Sequence, residues 1–301
     1  MRKAFRGAVE LALATSGLPA LARRRRRGNT LVLAYHNVVP DAVAPFGDRS
    51  LHLPIGRFRR QLEALRETHE VVSLEQLDQP STSGRPRAVI TFDDAYAGAL
   101  GLGVPAVLEL GLPATIFVAP DLLGLDAMWW DLLGDPDAGL SPNVRTHALH
   151  ALAGKGAAII AWAREQGIPL HHPGVHARIG TREELLDAAR APGISLGLHT
   201  WSHPNLACLA QREIEEELVR CRDWMRQHAD STRPWLAYPY GGYSPAVVES
   251  ARRTGVERAF RVVGGWVRDP GLEPLAIPRF NVPSGLSDNG FLLRISGVTP
   301  A

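Results

Sequence analysis

Cysteine is nearly absent: among 301 residues only Cys208 and Cys221 occur, with no Cys-x-x-Cys spacing. A disulfide framework or a thiolate metal site is therefore not expected, and both thiols read as buried or half-buried side chains. No apolar run reaches the length of about eighteen residues that a spanning helix needs. Basic charge is not spread along the chain either. The formal net charge is +2, but the unbroken run Arg23–Arg27 supplies five positive charges, so the remainder carries −3. A nucleic-acid reader spreads Lys and Arg over a surface, and no nucleic-acid partner is expected here. Internal repeats are missing, and 29 Gly with 23 Pro are too few for a fibrous or disordered chain.

What is present is a rhythm of short apolar runs and helix-like stretches. Leu31–Tyr35, Ala88–Phe92, Thr115–Ala119, Ile194–Leu198, Trp235–Tyr238 and Ala259–Val263 read as strands, with Leu275–Pro278 closing the series. They are continuously apolar rather than alternating, as in parallel strands covered on both faces. Between them, Phe58, Leu62 and Leu65 share a helical face. Ile214, Leu218, Cys221, Trp224 and Met225 form a stripe, with Glu213 and Glu215–Glu217 mostly turned outward. Pro245 opens another helix that Gly255 ends. Such alternation predicts an α/β fold, a (β/α) barrel in preference to an open sheet, over residues 30–301. Residues 121–186 interrupt the rhythm with Met128-Trp129-Trp130, a helix over Ala148–Ala163 and a His171-His172-Pro173 turn. They are expected to be a helical insertion over one rim, a lid or substrate wall.

The N-terminus, residues 1–29, is ambiguous. Its basic start and the apolar Ala8–Ala22 imitate an export signal, but Glu10 interrupts the apolar part and arginines follow at once. Three readings stand: a signal peptide, the least favoured; a solvated arm; and an amphipathic helix carrying Phe5, Val9, Leu11 and Leu13. That helix, followed by the Arg run, would touch an anionic membrane surface. A cytoplasmic or membrane-associated location follows.

Polar residues stand at the ends of the apolar runs. His36 follows the first, Asp93 and Asp94 the second, His199 the fourth with His203 four residues on, Tyr240 the fifth and Arg279 the last. In a (β/α) barrel all parallel strands deliver their C-terminal ends to one face, so these separated residues are expected to converge there. His199 and His203, at i and i+4, can reach one metal, and one carboxylate completes a two-His-one-carboxylate set. Asp93 and Asp94 diverge as neighbours on an extended chain, so one can bind metal while the other serves as a base. His171, His172 and His176 read as surface or lid residues. Trp129, Trp130, Trp201 and Tyr243 could stack on sugar rings or pack in the core.

Thr91-Phe-Asp-Asp94, His199-Thr-Trp-Ser-His203 and Ala237-Tyr-Pro-Tyr-Gly241 resemble, in order and separation, the three successive motifs of the polysaccharide deacetylases, the NodB-homology enzymes of carbohydrate esterase family 4. The resemblance covers roughly Leu31–Val282. It implies a distorted (β/α) barrel, a divalent metal, most often zinc, and hydrolysis of N-acetyl groups on an N-acetylated glycan. It maps the base onto Asp93, the metal ligands onto Asp94, His199 and His203, and the oxyanion donor onto the Tyr240 N–H. Two departures stand out. Ala237 replaces the Arg that usually opens the third motif, and no His follows His228 to serve as the family's C-terminal acid. Tyr35-His36 instead resembles the exopolysaccharide subgroup, whose acid histidine follows the first strand. Arg279 is a candidate to orient Asp93 in place of the missing Arg; a structural salt bridge or a substrate contact are its other readings. The departures leave two alternative functions: an inactive carbohydrate-binding scaffold, and an amidohydrolase acting on a small amide.

Overall fold

Each predicted strand forms within a few residues of its expected place. The computed structural model describes residues 2–267 and 273–301, with side chains from Phe5 onward. Two helices, α1 (Arg2–Thr15) and α2 (Leu18–Arg24), precede β1 (Thr30–Tyr35). Short strands β2 (Asn37–Val39) and β3 (His52–Pro54) lead to α3 (Ile55–Thr68), β4 (Glu70–Val71) and β5 (Arg87–Phe92). Next come α4 (Val104–Glu109) and β6 (Ala114–Val118). Four helices, α5 (Trp129–Leu132), α6 (Pro142–His150), α7 (Gly156–Glu165) and α8 (Arg182–Ala189), fill the long connection to β7 (Ile194–Leu198). The chain ends through α9 (Gln211–His228), β8 (Thr232–Ala237), α10 (Pro245–Arg253), β9 (Arg258–Arg261), β10 (Trp266–Val267), β11 (Ile277–Pro278), β12 (Phe280–Asn281) and α11 (Asp288–Ser296).

The main sheet runs β10-β1-β5-β6-β7-β8-β9-β11, with β12 paired to β1 and β4 to β5. Every pairing within it is parallel except that of β1 with β10. Because β11 lies on β9 and β12 on β1, the chain crosses the remaining gap through one residue, Arg279. The result is a nearly closed, distorted (β/α) barrel, as predicted. Residues of β1, β5, β6 and β7 are buried throughout, which explains their unbroken apolar character. Their side chains alternate between two clusters. Val32, Val89, Phe117, Trp235, Ala237, Phe260 and Ile277 make one. Leu31, Leu33, Tyr35, Ile90, Phe92, Ile116 and Val118 join Phe58, Leu62, Leu65 and the α9 stripe in the other.

Several local expectations are corrected. The single helix expected over Ala148–Ala163 is broken between α6 and α7, where Ala153 and Gly154 take left-handed φ values of 52° and 68°. At Gly154 a Cβ would fall 2.7 Å from the Tyr240 ring, so only glycine permits this approach. Cys208 is exposed while Cys221 is buried. Trp224 is only half-buried and stacks on His228 at 4.5 Å. Glu217 does not face away from the fold but reaches the loop after β7, as described next.

Candidate active site

The C-terminal strand ends do converge. His36, Asp93, Asp94, His199, His203 and Tyr240 line one cavity of about 180 Å3. Six non-glycine residues among those described have left-handed backbones, and five of them, Asp94, Ala95, Thr200, His203 and Tyr240, stand at these strand ends with φ between 54° and 67°. Each such residue costs on the order of 1–2 kcal/mol, a strain that concentrates where side chains must be aimed against local preference. At Asp93-Asp94 the turn lets neighbours serve one cavity: Asp93 N–H still donates to the Tyr35 carbonyl at 2.9 Å, and the chain reverses immediately after. Tyr35 packs edge-on against Phe58 in the outer cluster, so His36, next along the chain, faces the cavity.

Asp94, His199 and His203 form a compact buried trio. Asp94 Oδ1 lies 3.4 Å from His199 Nε2 and 3.2 Å from His203 Nε2, and the two Nε2 atoms are 3.1 Å apart. His199 Nδ1 donates to the Ala237 carbonyl at 2.8 Å, which leaves its Nε2 lone pair aimed at the trio. Among the described residues, Asp94 Oδ1 is buried with no hydrogen-bond partner of its own. Ligand atoms about 2.0–2.2 Å from a tetrahedral cation are separated by a little over 3 Å, so the trio fits a divalent ion with two imidazoles and one carboxylate. Burial works to raise the Asp94 pKa, but His203 and His199 hold it well below the ordinary carboxylate value. Burial lowers His203, whereas in His199 the two carboxylates outweigh burial and raise it. The loop bearing both imidazoles is pinned from α9: Glu217 Oε2 accepts from Trp201 N–H and Ser202 N–H at 2.9 and 2.8 Å, and Oε1 from the Ser202 hydroxyl at 2.7 Å. Sequence reasoning missed Glu217 because its helix position reads as solvent-facing. Among the described residues, His171, His172 and His176 do not join this trio.

Beside the trio, Arg279 donates to both oxygens of Asp93, at 2.6 and 2.7 Å, and to Thr91 Oγ1 at 3.1 Å. Both charged groups are removed from water. Burial alone would raise the Asp93 pKa, yet the Arg279 guanidinium lowers it below the ordinary value. Ala237 belongs to the same apolar cluster as Phe117, over whose ring the guanidinium lies at 5.2 Å. The cation absent from the third motif thus has a counterpart at the barrel's closing residue.

Two further sets of residues were not legible in the sequence. Asp131 on α5 is fully buried: it accepts from His52 Nε2 at 2.9 Å and from the Tyr96 hydroxyl at 2.7 Å. Asn37 Nδ2 donates to His52 Nδ1 at 3.1 Å, which assigns the proton to Nε2, and Trp130 Nε1 donates to the Tyr96 oxygen at 2.8 Å. Trp130, held this way, packs against His203 and Tyr240 at 5.3 and 5.8 Å. Arg145 on α6 forms an ion pair with Asp48, and both line the cavity that His36, Asp93 and Asp94 share. Asp131 stands 79 residues from His52 and 35 from Tyr96, so no local pattern marks these contacts. Trp129 and Trp130 are buried; Trp201 is half-buried beneath Arg220, and Tyr243 is exposed beside Arg261. A second cavity of about 720 Å3, lined by Met128, Trp129, Ile160 and others from the insertion, shares Trp130, His203 and Tyr240 with the first.

Residues 81–259 match the polysaccharide deacetylase family, and the chain belongs to it. It is therefore a hydrolase of the carbohydrate esterase family 4 type, acting on N-acetyl groups. Its fold is similar to that of the Streptococcus pyogenes deacetylase PplD in complex with acetate, at 17% identity and a TM-score of 0.61 over 88% of this chain and 96% of that one. It is equally similar to IcaB from Ammonifex degensii, at 16% identity and a TM-score of 0.61 over 90% and 96%. The BpsB deacetylase domain from Bordetella bronchiseptica shares 17% identity, with a TM-score of 0.54 over 85% and 96%.

Proposed function

We propose that this chain is a metal-dependent N-deacetylase of an N-acetylhexosamine-containing exopolysaccharide or related glycan. The observation that carries the reading is the buried Asp94–His199–His203 trio beside a carboxylate, Asp93, clamped by Arg279, in a cavity that His36 also lines. The trio would hold a divalent ion, zinc being the best match to two imidazoles and one carboxylate with open positions. When bound, such an ion polarises the amide carbonyl and lowers the pKa of water to about 7.

The chain's own groups then divide the work. Asp93, kept ionised by Arg279, takes the proton of the attacking water. The backbone N–H of Tyr240 donates to the oxyanion that develops on the carbonyl oxygen. His36 delivers a proton to the departing amine. Burial lowers the pKa of its imidazole against the opposing pull of Asp94 and Asp93, so the protonated form releases its proton readily. The amide C–N bond breaks, acetate leaves with the water oxygen, and the sugar keeps a free amine. The insertion, through Trp129, Trp130 and Arg145, serves as a wall of the substrate site. Exopolysaccharide as the substrate class is supported by Tyr35-His36 and by the fold shared with IcaB and BpsB.

Asp93→Asn is expected to abolish acetate release from N-acetylglucosamine oligomers while zinc stays bound at one ion per chain. His36→Ala is expected to lose on the order of 10²–10⁴ in kcat. Full turnover by Asp93→Asn would remove the base assigned here, and an unchanged rate for His36→Ala would place the acid elsewhere.

A further inference from the structure

Nine large hydrophobic side chains are exposed among the described residues, and five of them, Phe5, Val9, Leu11, Leu18 and Leu21, lie on α1 and α2. Phe5 is 74% exposed. The two helices are nonetheless tied to the barrel. Glu10 accepts from the Ser287 hydroxyl at 2.5 Å, Pro19 is buried, and Arg23 donates to the Ser296 hydroxyl at 2.8 Å. A docked element thus carries exposed apolar side chains, Phe5 and Val9 at the rim of a cavity of about 410 Å3 that Leu286 and Leu293 also line.

Basic groups gather at the end of α2. Arg24, Arg25 and Arg27 are exposed and have no acidic partner among the described residues. Arg23, Arg24 and Arg27 line a shallow cleft of about 240 Å3 together with Arg85 and one acid, Glu67. Arg85 is held in place by donating to the carbonyls of Arg66 and Glu67 at 3.0 and 3.2 Å, which leaves its charge uncompensated by these contacts. Four guanidiniums around one concavity suit a phosphate monoanion or diester. Exposed apolar side chains on the same two helices suit the boundary between headgroups and acyl chains. No helix among the described residues is long and apolar enough to cross a membrane, so contact is confined to the surface.

We propose that α1, α2 and the Arg cleft form a docking surface for an anionic phospholipid bilayer, with exposed apolar side chains of the two helices in the interface and a lipid phosphate in the cleft. Charge complementarity selects this occupant: outside Arg23–Arg27 the chain carries −3, so the basic cluster is a local exception that an anionic surface would attract. The proposal uses no residue of the catalytic cavity and stands apart from the reaction.

The test is co-sedimentation of the full chain with vesicles of phosphatidylglycerol and phosphatidylcholine, against vesicles of phosphatidylcholine alone. The expected result is binding to the anionic vesicles at least about tenfold tighter, weakening with added salt. The triple variant Arg24→Ser, Arg25→Ser, Arg27→Ser and the double variant Phe5→Ser, Leu21→Ser should each lose about tenfold or more, with acetate release from soluble oligomers unchanged. Equal binding to both vesicle types, or no binding, overturns the proposal. So does displacement from vesicles by millimolar inorganic phosphate, which would make the cleft a site for the free ion. A dimer that Phe5→Ser, Leu21→Ser dissociates, without vesicle binding by the parent chain, would assign these side chains to a second copy instead.

Discussion

Asp93 and Arg279 face one another out of contact with water through two charge-assisted hydrogen bonds, and each would be costly to bury without the other. The consequence for catalysis has a definite sign. Asp93 must be ionised to act as a base, so activity should appear as pH rises through its pKa, which Arg279 holds below the ordinary value. Arg279→Ala leaves burial unopposed by its strongest counter-charge and should move the acidic limb of the kcat/KM profile to higher pH, with a loss on the order of 10² at neutral pH. Arg279→Lys should restore part of both. An acidic limb that stays in place in Arg279→Ala would show that the pair does not set the base's ionisation. At this scale the sequence was informative where the site's residues are local: Asp93-Asp94 and His199/His203 stand within single motifs. Arg279 was found from its place after a strand, but its contact with Asp93 spans 186 residues and only the closed barrel makes it.

Elements, in turn, hold these side chains by contacts that leave no local trace. α5 is a single short helix, yet its Asp131 receives hydrogen bonds from His52 on β3 and from Tyr96 after β5. The same network fixes Trp130 against His203. Asp131→Ala would strand the His52 and Tyr96 donors in the interior and is expected to destabilise the protein by about 3–5 kcal/mol, with Asp131→Asn costing less. Urea denaturation measures this; an Ala variant within about 0.5 kcal/mol of the parent would contradict the network's role. Strands and amphipathic helices such as α3 and α9 were legible because period and burial agree. The break between α6 and α7 is marked only by Gly154 and Gly156 within a mostly apolar stretch, and it was missed because that stretch was read as one helix across them.

On the scale of the whole molecule, barrel and insertion share one apolar core. Trp129, Trp130, Ala148, Ile159, Ala163 and Ile179 from the β6–β7 connection belong to the same cluster as the outward faces of β1, β5 and β7. We therefore read residues 30–301 as one cooperative unit, and unfolding in urea should give coincident single transitions by tryptophan fluorescence and circular dichroism. Two separated transitions would mean that the insertion folds by itself. The barrel was legible because its strands are buried on both faces and hence unbroken in apolar character, whereas the way β11 and β12 straddle the gap on either side of Arg279 depends on strands two residues long. The account as a whole is tested most directly by acetate release from N-acetylglucosamine oligomers, using chelator-treated protein with zinc restored, for the parent chain and Asp94→Ala. Chelation should abolish turnover, and zinc should restore it to the parent but not to the variant. Undiminished turnover after chelation, or equal rescue of Asp94→Ala, would contradict the metal site and the chemistry built around it.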